Sequence, residues 1–231
     1  MQELAGAWDA LKFGGAMVYP LLLLGVIAVT IMLDRAVAYQ RMLQLPADVR
    51  DLIETFGFSW NELDDRLKSL GAHNAYRRFL DVISANRNQP AWWVESRAGD
   101  EAGSIEKTLG RGLWVLETIV TAAPLMGLLG TITGMMQSFK VIGASSLVAP
   151  TQVTAGVAQA LIATALGLLI ALISLFAFNF FTRTQSHALD SMERLGSRLV
   201  DHIRLDQEND AADTLARASA APGAKDRRSP R

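Results

Sequence analysis

Apolar positions along the chain gather into three long segments, Gly14 to Leu33, Leu113 to Phe139 and Val153 to Phe181. Each satisfies the requirement of about 20 residues for a helix crossing roughly 30 Å of hydrocarbon. The second and third exceed it, so they tilt or project beyond the hydrocarbon. A soluble core helix of such length keeps a polar face, and these segments lack one. The pattern predicts an all-α integral membrane protein with three transmembrane helices.

Elsewhere the apolar residues recur every three or four positions. Within 34–112, Val49, Leu52, Ile53 and Phe56, then Phe79, Leu80, Val82 and Ile83, mark amphipathic helices of a small cytoplasmic insert. Ser59-Trp60-Asn61-Glu62 has the form of a capping box ahead of Leu63 and Leu67. Gly57, Gly71 and Gln89-Pro90 are breaks. From about Ala91 the pattern reads as one helix running into the second span, with only Gly99, Gly103, Gly110 and Gly112 to interrupt it. After Phe181, the residues Leu189, Met192, Leu195, Leu199, Val200 and Ile203 keep the same spacing, an amphipathic helix over 182–205. Residues 206–231 have the composition of a disordered tail. Residues 1–13, with Leu4, Trp8 and Leu11 at helical spacing, read either as an interfacial helix or as a frayed terminus.

Charge turns three spans into an oriented topology. Of 22 Lys and Arg residues, 11 lie between Asp34 and Gly112 and nine follow Phe181, with only Lys12 and Lys140 elsewhere. The positive-inside rule counts basic residues in flanks and short loops. It puts the insert and the C-terminus in the cytoplasm, and the N-terminus and the loop 140–152 outside. The net charge of −1 adds nothing, and no basic patch points to nucleic acid. Ala36-Val37-Ala38 has the spacing of a signal cleavage site, but Glu3 and Asp9 precede the span and its apolar stretch outruns a signal h-region. Asp34-Arg35 reads instead as the stop of an uncleaved anchor. Tyr39, Trp114, Phe180 and Phe181 are expected at the cytoplasmic interface.

Polar residues inside the spans carry the candidate chemistry. At about 100° per residue, Glu117, Thr121, Pro124, Leu128, Thr131, Met135 and Ser138 share one face, and Gly127, Gly130 and Gly134 an adjoining one. Gly156, Ala160, Ala163 and Gly167 make a matching small-residue stripe on the third span, flanked by Gln159 and Thr164. Small residues let helix backbones approach closely, and polar groups in lipid face a bundle interior or a wet cavity. Gln159 and Thr164 lie about 140° apart, so they border one interface without pointing at one spot. Pro124 inside the second span is expected to kink it; Pro150 is placed to begin the third. Each threonine also has a plain reading, a hydroxyl satisfied on its own helix's carbonyl, and Glu117 reads either as a snorkelling carboxylate or as a charge at a lumen mouth.

Nothing suggests catalysis. There are no cysteines, which excludes disulfides and thiolate metal sites. His73, His187 and His202 lack metal-pair spacing and read as surface residues. No phosphate loop, G-x-S-x-G or pair of intramembrane carboxylates is present. No enzyme activity, cofactor or metal is expected.

The run A-P-L-M-G-L-L-G-T-I-T-G-M-M-Q-S-F (Ala123 to Phe139) followed by G-V-A-Q-A-L-I-A-T-A-L-G-L (Gly156 to Leu168) resembles the paired signature of the ExbB/TolQ/MotA proton-channel family. The order of one span, a large insert, a span hairpin and a tail is most like ExbB and TolQ. The resemblance implies a multi-pass protein of the bacterial inner membrane, N-terminus periplasmic. It implies a homopentameric ring around a dimer of ExbD-like single-span subunits. Proton flow would turn the ring and energise a TonB-like protein for transport across the outer membrane. It maps the polar lumen positions to Thr131 and Thr164, and gives the principal protonatable carboxylate to the partner. Many members carry glutamate where this chain has Gln159, and an amide does not titrate near neutral pH. The relay then runs through the partner's carboxylate or water, or the coupling ion differs. A TolQ-like envelope-integrity subunit and a non-conducting scaffold are the alternatives.

Overall fold

The structure, a computed structural model, describes residues 15–54, 58–144 and 150–220. The segment 1–13, Phe56, Gly57 and the chain beyond 220 lie outside the described residues. Seven helices and no strand are found among the described residues: α1 (Val18–Met42), α2 (Ala47–Glu54), α3 (Trp60–Ser69), α4 (Ala75–Ala85), α5 (Ala91–Leu109), α6 (Leu113–Ala144) and α7 (Pro150–Ala220). Three of them, α1, α6 and α7, are long and apolar enough to cross a membrane. The residues divide into two units. One holds the described residues up to Arg41 together with Glu106–Ala188; the other holds Met42–Ile105 and the chain from Leu189.

In the first unit α6 and α7 run antiparallel, and α1 runs parallel to α7. Gly15 lies against Gln159, Gly25 against Ile170, and the Tyr39 ring against Phe181 at 5.2 Å. The first apolar segment begins at Gly14, but the helix begins only at Val18, because Gly15 takes a positive φ of 75° that an L side chain resists. At its other end α1 passes through Asp34-Arg35 to Met42.

The single helix expected from Ala91 into the second span is instead two. α5 stops at Leu109 and α6 starts at Leu113, with Gly112 at φ 81° between them. The break persists because the orphan carbonyls it creates are satisfied. Glu106 O accepts from the Gly110 N–H at 2.8 Å and from Gln185 Nε2 at 3.2 Å. Arg35 Nη1 donates to Thr108 O at 3.0 Å and Leu109 O at 3.3 Å, and the Tyr39 hydroxyl donates to Leu109 O at 3.3 Å. Arg35 is itself buried and paired with Asp34 at 2.6 Å. Replacing Arg35 by alanine strips donors from two carbonyls. The change is expected to cost about 1.5–3 kcal/mol, the range for hydrogen bonds from charged groups, read as a lower unfolding temperature of the solubilised protein.

The interface aromatics divide for the same reason. Trp114 and Phe180 are exposed, whereas Tyr39 and Phe181 are buried. The latter pair packs α1 on α7, and the Tyr39 hydroxyl also caps α5.

In the second unit the amphipathic stripes meet as a core. Leu63 and Leu67 of α3, Phe79, Leu80 and Ile83 of α4, and Met192, Leu199 and Ile203 of α7 are all buried. Gly196 sits where a Cβ would come within 2.8 Å of Phe79 Cζ. The capping box expected at Ser59 does not form. Its side chain makes no cap bond, and the Glu62 carboxylate that would form the return bond is held by Arg66 at 2.8 Å instead. Asn74 caps α4 instead, accepting from the Arg77 N–H at 3.1 Å. His202 is not a free surface residue; its ring stacks on Phe58 at 4.7 Å. The segment from Asp206 also departs from its composition and remains helical to Ala220. Its first turns are tied down by Trp60 Nε1 donating to Asp206 at 3.0 Å and by Gln207 Nε2 donating to Gln89 O at 2.8 Å.

Candidate functional site

The site begins as a packing problem. α6 and α7 approach so closely that backbone meets backbone. A Cβ on Gly167 would lie 2.5 Å from Ala123 O, and one on Gly127 would lie 3.1 Å from both Ala163 O and Thr164 Cα. Farther along, Gly130 faces Ala163, Gly134 faces Ala160, and Gly156 faces Ser138. The small-residue stripes on the two helices therefore form one continuous seam. Each glycine in it creates room that a side chain would fill.

Two threonine hydroxyls sit beside this seam. Thr164 Oγ1 lies 3.1 Å from Gly127 O across the seam and 3.4 Å from Ala160 O on its own helix. Thr131 Oγ1 donates to Leu128 O at 2.7 Å. The two threonine hydroxyls thus lie within hydrogen-bond reach of successive carbonyls of α6, those of Leu128 and Gly127. Both are half-buried; Thr164 bonds across the seam, whereas Thr131 bonds within its own helix.

The other candidates distribute themselves around this pair. Glu117 and Thr121 are exposed on the outer side of α6, with the Thr121 hydroxyl donating to Thr118 O at 2.9 Å. Pro124 is half-buried and lies inside α6 without ending it. Ser138 leaves the Glu117 face. It is buried against Gly156 and donates to Gly134 O at 3.0 Å. Four residues turn a helix by about 40° net, so Ser138 follows Gly134 into the seam. Gln159 also turns away from Thr131 and Thr164, and its amide covers Gly15 at the start of α1. There the Gly130 position also meets Met17, so all three long helices converge.

Sequence reasoning missed three features. Gly15 and Met17 contribute to the packing, for which the glycine pair that opens the first apolar segment was the available signal. Arg35 was read as a stop when it is also a cap. Ser174 was passed over, although its Oγ is buried without a hydrogen-bond partner.

These hydroxyls lie within a segment, residues 68–194, that matches the MotA/TolQ/ExbB proton channel family. The chain belongs to that family. It is 32% identical over 204 residues to the biopolymer transport protein ExbB-like 1 of Synechocystis sp., covering 83% of this chain and 76% of that protein. It is 40% identical over 79 residues to ExbB of Aquifex aeolicus, 34% of this chain and 53% of the relative. A third similarity, 37% over 106 residues, is to ExbB of Xanthomonas campestris, 46% of this chain and 42% of that one. The chain spans about half the length of the last two. As a MotA/TolQ/ExbB member it is a membrane proton-channel subunit of an ExbB-like kind, a class of transport rather than of catalysis.

Proposed function

We propose that this chain is the ring-forming subunit of an ion-driven motor of the bacterial inner membrane that energises transport across the outer membrane. The observation that carries the reading is the pair Thr131 and Thr164, brought beside one seam of α6 and α7 with their hydroxyls in reach of adjacent carbonyls, within the family match. In this reading five copies surround a pair of ExbD-like single-span helices, and Thr131 and Thr164 border the lumen beside the partner's carboxylate. Glu117 and Thr121 mark its cytoplasmic mouth, and Pro124 kinks α6. A TonB-like protein takes up the motion. Gln159 does not titrate, so the proton moves on the partner's carboxyl and on water. The seam glycines let α6 and α7 behave as one stiff wall. Membrane lipid covers the exposed apolar side.

Deleting the gene in its own host separates this function from its neighbours. Loss of energised uptake of outer-membrane-transported nutrients, with an intact envelope, is the expected result. Leakage of periplasmic proteins with normal uptake would assign the chain to a TolQ-like envelope system. No change in either would favour a non-conducting scaffold.

A further inference from the structure

Arg66, Arg77, Arg78, Arg87, Arg97 and Arg204 of the second unit are each held by a carboxylate within 4 Å. Arg50 of α2 and Arg194 and Arg198 of α7 are exposed and join no ion pair among the described residues. Carboxylates are within a helical turn of them, yet are not used. Arg194 donates to the neutral Ser191 Oγ at 3.3 Å and leaves Asp190, one turn before it, aside. Asp201, three residues past Arg198, is bound to Arg204 at 3.4 Å.

Two of these arginines line an open cleft of about 340 Å³ between the last turn of α2 and α7, with Glu54, Glu193, Leu195 and Ser197. That volume is at the small end of the range for metabolite pockets, about 300–1,000 Å³. The order of residues on α7 gives the cleft two unlike walls. Residues four apart stand one above the other on a helix. Arg194 and Arg198 therefore make one row, and Glu193 and Ser197 the next, about 100° round the helix. Glu54 adds a second carboxylate from α2, and Arg50 lies one turn before it on the same face. Burial pushes the Tyr76 hydroxyl above its ordinary range, while Ser191 and then the charges of Arg50 and Arg194 draw it down. Both guanidiniums are thus close to one phenol, one from each helix.

We infer that this cleft binds a small phosphate monoester whose other end carries hydrogen-bond donors. Its phosphate sits on Arg194 and Arg198, and its hydroxyl or amino groups on Glu54 and Glu193. A guanidinium presents five N–H donors, accepts nothing, and matches phosphate oxygens with its planar fork. A carboxylate only accepts, so the second wall repels a bare anion and takes up O–H or N–H groups. An inorganic anion satisfies one wall; a molecule with both ends satisfies both and ties α2 to α7. These residues all lie outside the three apolar segments, and the site goes beyond the motor reading without depending on it.

The test is thermal unfolding of the full chain in its gently solubilised complex, at constant ionic strength. The probes are adenosine monophosphate, inorganic phosphate and adenosine. Adenosine monophosphate in excess is expected to raise the unfolding midpoint by about 2–4 °C, phosphate by less, and adenosine not at all. Arg194→Gln and Arg198→Gln are each expected to abolish both shifts. Neither guanidinium holds a carboxylate, so the fold is kept, and either variant decides the matter where the other fails to assemble. Glu193→Gln is expected to shrink the nucleotide shift and spare that of phosphate. Absence of any shift, or a nucleotide shift that persists in both arginine variants, would overturn the inference. Equal shifts from phosphate and nucleotide would overturn it too, since the acidic wall would then hold nothing.

Discussion

Thr131→Val and Thr164→Val are each expected to abolish energised uptake while the assembled complex survives. Valine keeps the shape and removes the hydroxyl, so the two consequences separate cleanly. Thr131 donates within its own helix to Leu128 O, and losing that bond leaves the helix ladder intact. Thr164 also reaches Gly127 O across the seam, so its loss costs more. Side-chain hydrogen bonds between membrane helices average about 0.6 kcal/mol, which the remaining seam contacts can absorb. Function has no such reserve in the proposed motor, because the hydroxyls that would border its ion path are removed. The measurement is nutrient uptake beside the native-gel mobility of the complex. Normal uptake in both variants would remove these threonines from the ion path.

Gly167→Ala is expected to have the largest effect on folding among the described glycines that line the seam of α6 and α7. Its Cβ would stand 2.5 Å from Ala123 O, a backbone atom with no rotamer to yield. Overpacking a tight contact costs about 1–3 kcal/mol, and here the only relief is to part α6 from α7. That also separates Gly127 from Thr164. The amount of folded, detergent-extractable protein should fall sharply. Gly99→Ala and Gly103→Ala on α5 serve as controls, since a Cβ at either meets nothing within 4 Å. There the gain in helix propensity, about 0.5–1 kcal/mol, should raise the unfolding temperature slightly. Equal extraction of Gly167→Ala and the control variants would show that the seam is loose.

What the sequence revealed depended on range. The three long apolar helices were legible because lipid imposes a length that soluble helices rarely need. The pairing of glycine stripes across α6 and α7 was legible because periodicity on each helix exposes a face, and a short connection makes the two neighbours. Where a feature depended on a partner distant in the chain, the sequence was silent. The break at Gly110–Gly112 needs Arg35, more than 70 residues earlier, to satisfy Thr108 and Leu109; glycines alone did not announce it. Gln159 pointed to a buried interface, but Gly15 as its neighbour followed only from the placement of α1. Ser138 was assigned by a helical wheel whose faces are broader than a side chain, and the seam took it. At Asp206–Ala220, composition suggested disorder while contacts from Trp60 and Gln89 hold the helix.

The central claim is that this chain builds the wall around a partner that carries the titrating group. The most direct measurement is native mass spectrometry of the complex extracted gently from the membranes of its own host. The expected result is five copies of this chain with two copies of a short single-span protein bearing a membrane-embedded aspartate. A monomer, or a ring that holds no such partner, would contradict the account and leave the seam as scaffolding.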